Sequence, residues 1–246
     1  MNFPTPYGTA LRAAASLLIG RKRGFRDDAR REIAALQPPL QVTGQENIPA
    51  AGPCLVTVNH YGRPGFWAWW LAFAIAAVVP AEMHWIMTRE IAHRGEKRSQ
   101  VLRLLTRLGI RGLGRVYGFT LMPPMPPDPA EVTERSLALR RLFATIRSNP
   151  APYVGLSPEG ATLPGGALGW PPPGSGKMML HMARHGLKIL PTGAYETGGA
   201  FHLSFGPLYT LDLPPGLPRE AADREASRLV MSRIGQQLPK SMIGDF

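Results

Sequence analysis

Residues Cys54-Leu55-Val56-Thr57-Val58 form an unbroken apolar and β-branched run. It is bounded by Gly52-Pro53 before it and by Asn59-His60-Tyr61-Gly62-Arg63-Pro64-Gly65 after it. Such a run between turn signals predicts a buried strand. It ends abruptly in a polar pair, and open α/β sheets place their ligands at the carboxyl ends of strands. A second apolar strand, Tyr153-Val154-Gly155-Leu156, ends in Ser157-Pro158-Glu159-Gly160. One strand end carries a potential base and the other a carboxylate, so the two together predict an active-site edge.

The elements around these strands alternate. Further strands are expected at Leu40 to Val42, Trp85 to Met87, Phe119 to Met122, Ile189 to Tyr195 and Phe201 to Phe205. Helical patterns fall at Phe66 to Val79, Gln100 to Leu108, Ala130 to Arg147, Lys177 to His185 and Arg219 to Gln237. Strands interleaved with helices point to a single α/β domain around a mixed, largely parallel sheet flanked by helices. That domain is expected over residues 39–246, preceded by an amphipathic helical segment over residues 1–38. In that segment Leu11, Ala14, Ala15 and Leu18 share one helix face, beside the basic turn Arg21-Lys22-Arg23-Gly24. Met122 to Pro129 reads as a stiff connector, and the Gly- and Pro-rich Leu163 to Gly176 as a long loop placed to shape a site.

The chain carries Lys+Arg 28 against Asp+Glu 17, a formal charge of +11, which favours an anionic partner. Neither zinc-finger spacing nor an RNA-binding aromatic motif is present, so an acidic membrane surface or a phosphorylated substrate is preferred over nucleic acid. No run reaches the roughly 20 apolar residues of a spanning helix. The longest, Phe66 to Pro80, opens with Phe66, Trp67, Trp69 and Trp70, which suits either a membrane interface or a buried core helix. The single Cys54 suits a reducing compartment and, inside a strand, an inert buried thiol.

Three short motifs fail on their own terms. Gly174-Ser175-Gly176-Lys177 lacks the rest of a phosphate-binding loop, because Pro171 and Met178 stand where Gly and Ser or Thr are required. It reads instead as the opening of the next helix. Gly155-Leu156-Ser157-Pro158-Glu159 lacks the second Gly of a hydrolase nucleophile elbow. His181 and His185 share a helix face, but Met182 fills the Glu position of the zinc motif, so no metal is expected there.

Asn59-His60 and Pro158-Glu159-Gly160 remain. With Gly176, Pro191 and the Phe205-Gly206-Pro207-Leu208 turn, they occur in an order that resembles the glycerolipid acyltransferases, which acylate lysophosphatidic acid and related acceptors. That family's first motif is Asn-His-x-x-x-x-Asp and its third is Pro-Glu-Gly-Thr-Arg. The resemblance implies a glycerol-phosphate acyltransferase-like fold with His60 as general base. Asn59, Arg63, Glu159 and Gly160 would meet the substrate, and Arg89 and Arg115 are further candidates for anionic groups. The acyl donor would be acyl-CoA or acyl-ACP as co-substrate, with no bound cofactor and no metal, at the cytoplasmic face of the membrane. Two departures stand out. Gly65 occupies the Asp position, and Ala161-Thr162 replaces Thr-Arg. A backbone carbonyl, the Tyr61 hydroxyl or Glu159 is then expected to orient His60. The alternative is a catalytically impaired relative that keeps the fold and binds lipid or acyl chains.

Overall fold

The computed structural model describes residues 1–89, 100–124, 128–163 and 166–244. Residues 125–127 of the expected connector, 164–165 of the expected loop, and His93 lie outside the described residues. Seven strands form one sheet in the order β1-β7-β6-β2-β5-β3-β4. They are β1 (Gln41–Thr43), β2 (Cys54–Val58), β3 (Met83–Thr88), β4 (Thr120–Met122), β5 (Tyr153–Leu156), β6 (Lys188–Thr197) and β7 (Ala200–Phe205). β6, β2, β5, β3 and β4 run parallel, whereas β7 pairs antiparallel with β6 and carries β1 alongside it.

Helices cover both faces, so the central strands have no solvent side and read as continuous apolar runs. β2 shows how two cores share one strand. Cys54, Val56 and Val58 enter a core with α2 (Phe25–Ala34) and α3 (Trp69–Val78), whereas Leu55 enters a second core. That second core lies with α5 (Val132–Ser148), α6 (Ser175–Arg184) and α7 (Arg219–Gly235). The chain leaves β2 into α3 on the first face and leaves the adjacent β5 into α6 on the second. Where neighbouring connections part to opposite faces, a crevice opens at the carboxyl ends of the strands.

One helix settles an alternative that the sequence left open, and another runs past its expected end. α3 is core, with Trp70 0% and Ile75 0% exposed, and only Trp67 just before it stands 43% exposed. The aromatic run therefore packs inward rather than forming an interfacial helix. α4 spans Gln100–Tyr117, well past the expected end at Leu108, through Gly109, Gly112 and Gly114. Two of these glycines mark close packing. A Cβ on Gly112 would lie 2.7 Å from Leu17 Cδ2 of α1 (Tyr7–Leu18), and one on Gly114 would lie 3.0 Å from Leu121 Cδ1 of β4. Among the described residues no helix is long and apolar enough to cross a membrane.

The N-terminal helices are held by a buried carboxylate. Asp28, 0% exposed, takes Arg23 through Nε at 2.9 Å and Nη2 at 2.8 Å, Arg31 Nη1 at 2.9 Å, and the Tyr117 hydroxyl at 2.8 Å. Arg12 of α1 lies 3.5 Å away. Burial works to raise this carboxyl's pKa, but its hydrogen bonds to Arg23 and Tyr117 outweigh burial and hold it below its usual value. One charge thus joins α1, α2 and α4.

The Gly174 to Lys177 segment does open a helix. Its N-terminal N–H groups are taken by Asp223 of α7, which accepts from Gly174 at 2.7 Å and from Lys177 at 2.7 Å. Gly176 lets the two helices meet, since a Cβ there would sit 2.0 Å from the Asp223 carbonyl oxygen. Gly176→Ala is therefore expected to destabilise the protein by about 1–3 kcal/mol, the cost of overpacking a closed contact. Urea unfolding checks this; an unchanged midpoint would refute it.

Candidate active site

β2 and β5 are parallel neighbours, and their register pairs Cys54 with Tyr153 and Thr57 with Leu156. The same offset carried beyond the strands sets His60 opposite Glu159, 99 positions further along the chain. The backbone N–H of His60 donates to Glu159 Oε2. Glu159 Oε1 accepts from the Gly169 N–H at 2.9 Å. The carboxylate, 7% exposed, ties the end of β2 to the long loop after β5. Burial pushes this carboxyl up to about 7, against its two backbone donors, which pull the other way. Gly160, at φ 69, turns the chain immediately after it.

The His60 imidazole is half-buried, and that burial lowers its pKa below the usual 6.5, so the ring is neutral at neutral pH. Its Nδ1 lies 2.7 Å from Thr162 Oγ1. This is the arrangement a general base requires, with one ring nitrogen held and the other without a side-chain partner among the described residues.

Two of the groups expected to orient His60, the Tyr61 hydroxyl and Glu159, are engaged elsewhere. A backbone hydrogen bond does reach the ring, and it pulls the His60 pKa up against the larger effect of burial. The Tyr61 hydroxyl donates to Glu196 Oε1 at 3.1 Å. Burial, and then the Glu196 charge, push this phenol up to about 12, so it stays a donor. Glu159 meets the backbone of His60 and not its ring. Thr162 does meet the ring. In the sequence it stood only as a departure from the family pattern, and its sole signal was a hydroxyl just after the Gly160 turn.

Asn59 and Arg63 shape the same edge from either side of His60. Asn59, 1% exposed, donates through Nδ2 to the Ala194 carbonyl at 2.9 Å and accepts the Ala194 N–H at 2.7 Å. It clips the end of β2 to β6. Arg63 forms a two-pronged pair with Glu196 at the far end of β6, through Nε at 2.8 Å and Nη2 at 3.0 Å, which fixes the loop after His60. Glu196 had no recognisable sequence signal, because its partners lie on a distant loop.

Gly65 stands at φ 80, at the corner of a turn in which the Phe66 N–H donates to the Arg63 carbonyl at 3.0 Å. Pro followed by a left-handed Gly is the pattern of a type II turn. Of the other basic candidates, Arg89 pairs with Glu131 and Glu134, and Arg115 is exposed on α4. His181 and His185 pack edge to face at 4.9 Å, beside Phe143. Among the described residues no cluster of three or more His, Cys, Asp or Glu side chains is arranged to hold a metal.

No family model matches the sequence, and no curated protein matches it either. Among solved structures the chain is similar to the 1-acyl-sn-glycerophosphate (LPA) acyltransferase PlsC from Thermotoga maritima. The TM-score is 0.53 at 17% sequence identity, over 91% of this chain and 80% of that one. At that identity the likeness is one of fold: the chain is a single α/β domain with a mostly parallel sheet flanked by helices, as in an acyltransferase.

Proposed function

We propose that this protein is a glycerolipid-type acyltransferase. It moves a fatty acyl group from acyl-CoA or acyl-ACP to a hydroxyl of a lysophospholipid or related acceptor. The observation that carries this reading is His60, neutral and held at Nδ1 by Thr162, at the carboxyl end of β2. His60 Nε2 takes the acceptor's hydroxyl proton as the oxygen attacks the thioester carbonyl. The resulting tetrahedral centre then expels the thiolate, the C–S bond breaks, and the imidazolium returns its proton to the sulfur. Gly160 allows the acceptor's head to approach the backbone closely. Asn59, Arg63 and Glu159 support the edge by fixing it, since their polar atoms are held by backbone and by Glu196. The purified protein, assayed with both donor types and a panel of acceptors, should turn over. A clean negative with both donors would leave the alternative of a lipid-binding relative, which the turn glycine at position 65 favours.

The protein works peripherally, at the cytoplasmic face of an anionic membrane. The Cys54 thiol, pushed up to about 12 by burial, suits a reducing compartment. Two adjoining helices supply the contact. α1 leaves Tyr7 73%, Leu11 72% and Leu18 88% exposed, and α4 leaves Leu104 57%, Leu105 59% and Leu108 52% exposed. On α4, Leu104 and Leu108 continue at helical spacing into the exposed Arg111 and Arg115. Leucine burial in a lipid interface is worth about 1.5–3 kcal/mol each, and each basic residue near anionic lipid adds about 1 kcal/mol. In vesicle sedimentation, a Leu11→Asp/Leu108→Asp variant is expected to bind phosphatidylglycerol-containing vesicles at least ~10-fold more weakly. Unchanged binding would remove this surface from the membrane reading.

A further inference from the structure

We propose that Thr162 is the positioning residue for His60, holding the imidazole through its hydroxyl in the place where related motifs use a carboxylate. The inference rests on the acyltransferase reading and assigns the missing part of its site.

Three observations converge. Thr162 Oγ1 lies 2.7 Å from His60 Nδ1. The loop after His60 passes so close to Thr162 that a Cβ on Gly62 would sit 2.4 Å from Thr162 Cγ2 and 2.9 Å from Oγ1. Gly62 therefore lets the threonine stand against the histidine loop. Gly65, at the position of the usual acid, is a left-handed turn corner, and Arg63 Nη1 lies 3.7 Å from its would-be Cβ. A carboxylate at position 65 would meet a cation already paired with Glu196. The orienting group has moved from the loop after β2 to the loop after β5.

The chemistry differs from that of a carboxylate in a way that can be measured. In the tautomer whose Nε2 can accept a proton, Nδ1 carries the hydrogen and donates it to Thr162 Oγ1. A hydroxyl can accept from Nδ1–H as a carboxylate does, although it can also donate to a bare Nδ1, and it stabilises the imidazolium less because it brings no negative charge. Thr162 thus holds the ring's orientation in the reactive tautomer while leaving it weakly basic.

The test combines kinetics with 15N-imidazole NMR of the full chain. In the wild type, His60 should show a protonated Nδ1 and an unprotonated Nε2. Thr162→Val keeps the methyl that packs under Gly62 and removes the hydroxyl. It should mix the tautomers and lower kcat by about 10- to 100-fold with KM little changed, the loss expected for one hydrogen bond to a group that becomes charged. Thr162→Ser should restore most of kcat and the single tautomer. Thr162→Asp should move the His60 titration, and the acid limb of kcat/KM, to higher pH. A His60 tautomer and titration indifferent to all three variants would overturn the proposal. So would a serine variant as impaired as the valine one. If no variant and no wild type transfers acyl groups, the acyltransferase reading fails, and the NMR arm still decides whether Thr162 orients His60.

Discussion

His60→Ala is expected to reduce kcat/KM for acyl transfer by about 100- to 10,000-fold, the range that a positioned general base contributes. The folded protein should survive the change. The His60 backbone N–H, which donates to Glu159, remains in the variant. The side-chain hydrogen bond lost is to Thr162, an exposed residue. Activity should therefore fall while the unfolding midpoint stays close to wild type. The pH profile adds a second mark. A base works only when unprotonated, and burial holds the His60 pKa below 6.5. In the wild type kcat/KM should rise as pH climbs through that lowered value and be level by neutrality. An alanine variant that retained the wild-type rate would rule out His60 as the base, as would an acid limb lying above pH 6.5.

Glu159→Ala is expected to damage stability and activity together. Two backbone donors, on His60 and Gly169, lose their acceptor in a buried place. Each stranded donor costs about 1–3 kcal/mol, so the total should be about 2–6 kcal/mol. The loop that carries Thr162 and the strand end that carries His60 would also separate, and acyl transfer should collapse with them. pH supplies a control. Burial raises the folded carboxyl from 4.5 to about 7, so the folded state binds a proton that the unfolded chain has released. This contribution is fully present below pH 4.5 and is lost as pH rises through about 7. It should make the wild type more stable at pH 5 than at pH 8 by up to about 3 kcal/mol from this group alone. Glu159→Gln should flatten that slope. If urea titrations show the same slope in wild type and Gln variant, the buried carboxyl does not titrate as described.

The sequence was legible wherever chemistry is local. All seven strands were recognisable, because an apolar β-branched run between turn residues has few other uses. The approach of His60 to Glu159 follows from two strand ends once β2 and β5 are neighbours in register. What stayed hidden depends on pairs far apart in the chain. Gly112 and Gly114 look like helix breakers until Leu17 and Leu121 are seen filling the space they leave. Arg63 looks like a free cation on a loop until the turn of the β6–β7 hairpin brings Glu196 to it. Thr162 looks like a lost motif residue until the Gly62 loop closes over it. The aromatic helix was ambiguous for a different reason, because tryptophans suit a core and an interface equally. The second layer over the sheet settled it.

The shared register of β2 and β5 has a consequence for errors as well as for the native fold. Alternate residues of β2 feed different cores, so sliding the strand by one position would exchange Leu55 and Thr57 with Cys54, Val56 and Val58. The same slide would carry His60 away from Glu159 and Thr162. Structural error and chemical incompetence are therefore one event. A mispaired population should carry no partial activity, and specific activity should report the correctly paired fraction directly. Length changes within either strand should abolish function outright, whereas the surface connections between helices have no such coupling to the site.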